Sequence, residues 1–369
     1  MKKIPMARPS ITEKEIDYVN DAIRTGWGET CYDYIKKFED KFKEYIGSKF
    51  SLATSSCTGA INLAFATIGL KPGDEVIVSE ISWITAVTPI TYFGAKPVFV
   101  DILKDSWCID PKKIEEAITD KTKAIMPTNI YGNLAEMDEI MKIAKKHNLY
   151  VIEDSAEALG SEYKGKKVGS IGNMGVFSFH GAKTCTTGEG GMLVTDDEEL
   201  FKKAQTLNNG GRKVDGKMFY AEIIGYKYKM SNFQAALGLA QIERVKELVE
   251  RKRQIFYEYQ KNLSNLPISM NPEPSYTKNS FWLPTVIFDK SLNINRDELM
   301  KFFKEKNVDI RPFFYPTSSM PMFMPNKNNK VAYDIYLRGI NLPSYHNITS
   351  EEIKFVCDGL RGFLNENKI

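Results

Sequence analysis

The stretch YVIEDSAEALG, residues 150–160, decides the architecture. Apolar residues on consecutive positions read as a strand covered on both faces, and the carboxylates that follow fall at its carboxyl end. Open α/β sheets place their ligands at that end, which makes Asp154 a candidate ligand-binding carboxylate. Read alone, it is also a helix N-cap or a loop carboxylate. Working outward, the segments DEVIVSEIS (74–82), AKPVFVDI (95–102), KAIMPTNIYG (123–132), GVFSFHG (175–181) and GMLVTDD (191–197) read as further strands. Segments of 3.6-residue periodicity separate them. The pattern predicts an α/β fold: a mixed, mostly parallel sheet wrapped by helices.

A chain of 369 residues with 43% hydrophobic content buries one large core and a smaller second one. One long amphipathic helix is expected over 232–261, where SNFQAALGLAQIERVKELVERKRQIFYEYQK runs from an apolar half into a charged half. It serves as the hinge between residues 1–245, an N-terminal segment plus a large α/β domain, and residues 246–369, a small C-terminal α+β domain. Fifty Lys and Arg against 47 Asp and Glu leave a net charge of +3, scattered along the chain, so neither nucleic acid nor an acidic membrane is the expected partner. Cys31, Cys57, Cys108, Cys185 and Cys357 form no CxxC or Cys/His pattern, which gives no zinc site and fits a reducing compartment. MKKIPMARPS lacks an apolar signal region, and no window approaches ~20 uninterrupted apolar residues; the expectation is a soluble, cytoplasmic protein.

Two further segments carry chemistry. FSFHGAKTCTTGEGG (177–191) is an apolar strand breaking into a Gly- and Thr-rich turn with one lysine, Lys183, whose small neighbours leave room for a ligand. Most lysines are solvated surface charges, and out of context this one reads so. SLATSSCTGAINLAFATIGL (51–70) opens an apolar helix with the Ser55–Gly59 turn; its free N–H groups and dipole make an anion seat, to which Ser56 and Thr58 add hydroxyls. Ordinary N-capping explains the same residues. An anion seat, a buried carboxylate and a lysine are the contacts that pyridoxal 5′-phosphate (PLP) needs for its phosphate, ring nitrogen and imine carbon.

The run from Asp154 through Gly191 resembles the DegT/DnrJ/EryC1/StrS family of PLP-dependent nucleotide-sugar aminotransferases, and within it the perosamine-synthase-like branch. The likeness extends over RPSITEKEIDYV, GDEVIV, KTKAIMP, IGYKYKMSNFQAALGLAQIERV, IRPFFYP and GINLPSY, nearly the whole chain. It implies a fold type I PLP-dependent aminotransferase with Lys183 as the Schiff-base lysine and proton shuttle, and Asp154 as partner of the ring nitrogen. It places Glu157 against the 3′-oxygen or substrate, and Ser178 with Cys57 and Thr58 on the phosphate. Trp83 falls where the family sets an aromatic over the ring face; as a bare sequence feature it is also a core tryptophan. The family is homodimeric with a shared active site, the partner's GYxYxM segment reaching the phosphate; Lys227 and Lys229 occupy that segment here.

The implied reaction takes an amino group from L-glutamate, stores it as pyridoxamine 5′-phosphate, and delivers it to a keto-sugar nucleotide of the 4-keto-6-deoxyhexose type for surface polysaccharide. A small phosphorylated ketone is the alternative acceptor. The family's sugar dehydratases replace the lysine by histidine, unlike this chain, and no basic helix-turn-helix segment precedes residue 15, as the PLP-sensing regulators require. Lys227 and Lys229 stand where many relatives have Asn and Arg. Asn129 and Ser318 stand where the perosamine-like enzymes have His, and Gly28–Glu29 also depart; these changes bear on the acceptor and leave the cofactor chemistry intact.

Overall fold

A computed structural model describes residues 3–366. Helices α1 (Glu13–Thr25) and α2 (Asp33–Ile46) lead into strand β1 (Phe50–Thr54) and helix α3 (Cys57–Thr67). Then come β2 (Glu75–Ser79), α4 (Ile84–Tyr92), β3 (Lys96–Val100), α5 (Pro111–Ala117), β4 (Thr122–Met126), α6 (Met137–His147) and β5 (Tyr150–Asp154). A short ribbon, β6 (Glu162–Tyr163) and β7 (Lys166–Lys167), precedes β8 (Met174–Ser178), β9 (Gly191–Thr195) and α7 (Glu198–Asn208). The large sheet runs β1-β9-β8-β5-β4-β2-β3. Pairs from β3 to β8 are parallel, while β9 is antiparallel to both β8 and β1.

Consecutive apolar positions in these strands have a direct structural reading. Ile77, Ile125 and Val151 pack on one face with the α6 residues Ile140 and Ile143, whereas Val76, Met126 and Ile152 pack on the other with Ile61 and Leu63 of α3. With a side-chain period of two and helices on both faces, neither face is free to be polar. The six expected strands are present; β1, in the stretch read only as a lead into the anion turn, is a seventh.

The single helix expected over 232–261 is two: α8 (Asn232–Glu243) and α9 (Val245–Leu263). Arg244 separates them at φ −101°, ψ 3°, with its guanidinium on Glu15 at 2.7 Å and Glu247 at 2.9 Å. Ala235, Ala236 and Leu239 of α8 pack with Phe38 and Phe42 of α2, and α9 turns Ile255 and Tyr259 into a second core. No Gly or Pro marks the break, so the pattern ran through it.

The chain continues through β10 (Ile268–Met270), β11 (Thr277–Lys278), β12 (Thr285–Phe288), α10 (Arg296–Glu305), β13 (Arg311–Pro312), α11 (Lys330–Ile335), β14 (Gly339–Asn341) and α12 (Ser350–Glu366); β10, β12, α10, β14 and α12 build that second core, whereas α11 sends Ala332 and Ile335 to the core of the large sheet. An antiparallel sheet, β10-β12-β14-β13, carries the second core, while β11 joins the β6–β7 ribbon. Ile4 also packs here: its N–H donates to Asn307 O at 3.0 Å and its carbonyl accepts from Asp309 N–H at 2.9 Å. We propose the division at 245/246 because the helix break lies beside it, with the first described residues crossing over to the C-terminal unit; residues 1–2 and 367–369 of those ranges lie outside the described residues. No helix among the described residues is long and apolar enough to cross a membrane.

Candidate active site

Thr128, Asp154 and Ser178 stand at or just beyond the carboxyl ends of β4, β5 and β8, and together line a cavity of about 440 Å³. Ser56, Cys57 and Thr58 at the start of α3, Trp83, Glu157 and Lys183 share the wall. A larger cavity of about 840 Å³, on the side of Trp107 and Phe288, contains none of the residues singled out in the sequence. The smaller one is within the usual size of a cofactor pocket.

Period two sends Asp154 to the α3 face of the sheet, the face of Ile152. Its strand position is pinned by its own N–H on Pro127 O at 2.9 Å. Its carboxylate is buried, 4% exposed, and its one side-chain hydrogen bond among the described residues comes from Ala156 N–H at 3.1 Å. Burial pushes the carboxyl up to about 6; that single N–H works against the shift, the Glu157 charge adds to it, and Lys183 opposes it.

Lys183 rides the turn between β8 and β9. Its N–H donates to His180 O at 2.8 Å, and the neighbouring Ala182 N–H donates to His180 Nδ1 at 3.2 Å. The ammonium lies 3.1 Å from Glu157 Oε1 and 3.7 Å from the centroid of the Trp282 ring. Glu157 is fixed from the other side, Oε2 accepting from Tyr131 N–H at 3.1 Å.

At the start of α3, Ser56 is the N-cap, its Oγ accepting from Gly59 N–H at 3.0 Å. The N–H groups of Cys57 and Thr58 begin the helix, where no intrahelical carbonyl takes them. Strand β9 passes so close that a Cβ on Gly191 would lie 2.5 Å from Ser56 O and 2.6 Å from Cys57 N. Only glycine fits there. Ser178 Oγ accepts from His180 N–H at 3.3 Å.

Trp83 is 54% exposed, its ring 5.6 Å from that of Phe314, so it stands in the wall and not in the core. Lys227 is exposed and is not on this cavity's wall. Its segment runs beside the anion turn, Ser55 N–H donating to Tyr228 O and Asn62 Nδ2 to Tyr228 Oη at 3.1 Å, while the Lys229 ammonium lies over the Tyr32 ring at 4.3 Å. Burial, then Lys227 and Arg212, lower the Lys229 pKa. Two departures turn inward. Asn129 is buried, accepting from Ala135 N–H at 3.0 Å, and Ser318 Oγ meets Tyr333 Oη at 3.0 Å; neither lines the cavity. Gly28 and Glu29 are exposed, Gly28 at φ +62°.

Thr128, His180, Glu189, Trp282 and Phe314 also line the cavity and had no signal of their own in the sequence. The hydroxyl of Thr128 is buried and has no hydrogen-bond partner among the described residues. That orphaned hydroxyl, the lone-bonded Asp154 and the untaken N–H groups of α3 form a polar lining that the chain itself leaves unfilled. The amine, carboxylate and anion seat are the chemistry that PLP binds, so the residues fit that cofactor.

A doubly covered sheet with lysine, carboxylate and helix start meeting at its carboxyl edge defines a PLP-dependent aminotransferase of fold type I. The chain belongs to the DegT/DnrJ/EryC1/StrS aminotransferase family, whose sequence profile matches residues 9–361. It is 39% identical over 367 residues to the GDP-perosamine synthase of Escherichia coli O157:H7, covering 99% of this chain and 100% of that protein. It is 37% identical to the GDP-perosamine synthase of Vibrio cholerae, over 98% and 99% of the two chains. The PLP form of Streptococcus pneumoniae Spr1654 superposes with a TM-score of 0.92 at 28% identity, covering 99% of both chains. Helicobacter pylori PseC, an aminotransferase involved in the biosynthesis of pseudoaminic acid, does so with a TM-score of 0.92 at 25% identity, over 99% of this chain and 100% of PseC.

Proposed function

We propose that the chain transfers the amino group of L-glutamate to a keto-sugar nucleotide of the 4-keto-6-deoxyhexose type, in the making of surface polysaccharide. The observation that carries this reading is the meeting of Lys183, Glu157 and Asp154 in one cavity with the start of α3. Two relatives named GDP-perosamine synthase, matched over almost their full length, support the acceptor.

When bound, PLP supplies an electron sink that makes the donor's carbon acidic. Lys183 is the covalent anchor and, once displaced, the base that carries a proton at that carbon. Asp154 holds a proton on the ring nitrogen; its burial strengthens the charge interaction it makes there. Ser56, Cys57, Thr58 and Ser178 hold the phosphate, and Trp83 covers one ring face. Glu157 holds the free Lys183 ammonium and faces the 3′-oxygen or the substrate.

We further propose a homodimer in which Lys227 serves the phosphate bound by the other subunit. Lys227 is exposed and does not line its own cavity, and Val214, Met218, Phe219 and Ile224 in the segment before it are exposed apolar side chains that a second copy would cover. Mixing Lys183→Ala with Lys227→Ala subunits tests it: mixed dimers hold one intact site, so activity recovers toward half that of wild type. No recovery after verified exchange removes Lys227 from the shared site.

The acceptor is tested by loading the enzyme with pyridoxamine 5′-phosphate and screening keto-sugar nucleotides against ketose phosphates. Return of the cofactor's visible absorbance with a GDP-linked 4-keto-6-deoxyhexose is the expected result. Return with ketose phosphates alone overturns the acceptor and leaves the transaminase chemistry standing.

A further inference from the structure

Trp282 belongs to the return of the chain toward β12, remote in sequence from the Lys183 turn. It makes two separate contacts with that turn. Its indole N–H donates to Ala182 O at 2.9 Å, and the Lys183 ammonium sits 3.7 Å from its ring centroid, well inside cation–π range. Its own place is fixed by the segment before it. Ser280 N–H donates to Ser161 Oγ at 2.9 Å, and Asn279 Nδ2 to Asn133 Oδ1 at 2.9 Å. A Cβ on Gly132, at φ +97°, would approach Phe281 N to 2.8 Å and Trp282 N to 3.1 Å, so the two backbones lie as close as glycine allows.

We propose that Trp282 is the positioning residue of Lys183: its N–H holds the turn and its ring face receives the side chain whenever the lysine is free of the cofactor. The proposal rests on the reading of Lys183 as the covalent anchor. Released into the cavity, a flexible lysine would sample many rotamers, and each must be searched before the amine reattaches or moves a proton. Glu157 and the Trp282 ring give it one resting place, bounded by a carboxylate on one side and an aromatic face on the other. The carboxylate and the ring face both attract the ammonium.

The test follows capture of added PLP by the cofactor-stripped, full-length protein as a function of pH, by absorbance. Borohydride reduction and mass spectrometry then locate the attached residue. The other charged or titratable groups around the ammonium are Asp154 at the end of β5 and Glu157 just after it, His180 and Glu189 on its own turn, and Cys57 at the start of α3. All are retained in the variants compared. Trp282→Leu removes ring and N–H; Trp282→Phe keeps a ring. The leucine variant should move the pH midpoint of capture down by about 0.5–1 unit, the equivalent of one cation–π contact, and phenylalanine should restore it. An unmoved midpoint in the leucine variant, or an equal shift in both, overturns the proposal, because a merely structural tryptophan would alter thermal stability without moving the midpoint. Should the leucine variant fail to fold, Trp282→Met, which fills irregular space, is read by the same outcomes. Lys183→Ala separates the two readings: attachment surviving there sinks Lys183 as the anchor, whatever Trp282 does.

Discussion

Glu153 and Asp154 end the same strand and point to opposite faces of the sheet. Glu153, fully buried, receives three backbone N–H groups, from Gly169 at 2.8 Å, Ile171 at 2.7 Å and Gly172 at 2.6 Å. Asp154 receives one. Burial raises both carboxyls above the usual range, and at Glu153 the three donors oppose the shift. The first carboxylate is spent on holding the 169–172 loop. The second is left with acceptor capacity facing a cavity. Two adjacent buried acidic residues are thus told apart by what the chain offers them, and incomplete satisfaction singles out the one we propose to take a ligand.

The largest expected effect lies on the Asp154 face. Lys183→Ala should still hold PLP noncovalently while turnover falls by a factor of ~10³ or more, with little change in melting temperature. Turnover above about a tenth of wild type would take that face out of the chemistry.

Asp154→Asn keeps the shape and removes the charge. Both half-reactions should slow by at least ~100-fold with cofactor still bound, measured by single-turnover absorbance with glutamate.

The same substitution should act in the opposite direction on the ligand-free protein. A carboxyl raised from 3.8 to about 6 contributes stability below its unfolded value and loses it as pH rises through its folded value. Asparagine imitates the protonated form at every pH. The variant should therefore match wild type near pH 4 and exceed it at pH 7 by up to about 3 kcal/mol in urea denaturation. Parity at both pH values would mean that Asp154 carries no buried charge in the absence of cofactor.

Glu153→Gln is the smallest change and the sharpest control. The amide sets a donor against backbone donors, so stability should drop by about 1–3 kcal/mol while turnover per bound cofactor stays within about threefold. A loss of turnover like that of Asp154→Asn would break the division between the two faces.

Much of this site was readable in the sequence because it is built from local signals. Asp154 sits where an apolar strand stops, Lys183 lies in a turn of small residues, and Ser56 caps a helix, while Ser178, Glu157 and Trp83 were singled out only through the family resemblance. Trp282 was not readable: one aromatic in FWLP looks like core, and its value comes from a chain return far from Lys183. Asn129 and Ser318 lie in segments near the site, yet a sequence position does not say which way a side chain turns, and both turn into the protein. The break at Arg244 was hidden for a related reason. Helical periodicity continues across it, and what divides α8 from α9 is the tertiary hold of Glu15 on the arginine.

The pairing of Ile4 with the segment around Val308 has a consequence for biosynthesis. On the ribosome the first partner emerges 304 residues (308 − 4) ahead of the second. At ~5–20 residues per second the N-terminal segment waits on the order of 15–60 s for its neighbours. The core shared by Ile4, Leu299 and Phe303 cannot close before then, so the C-terminal unit is completed only after the large sheet has left the exit tunnel.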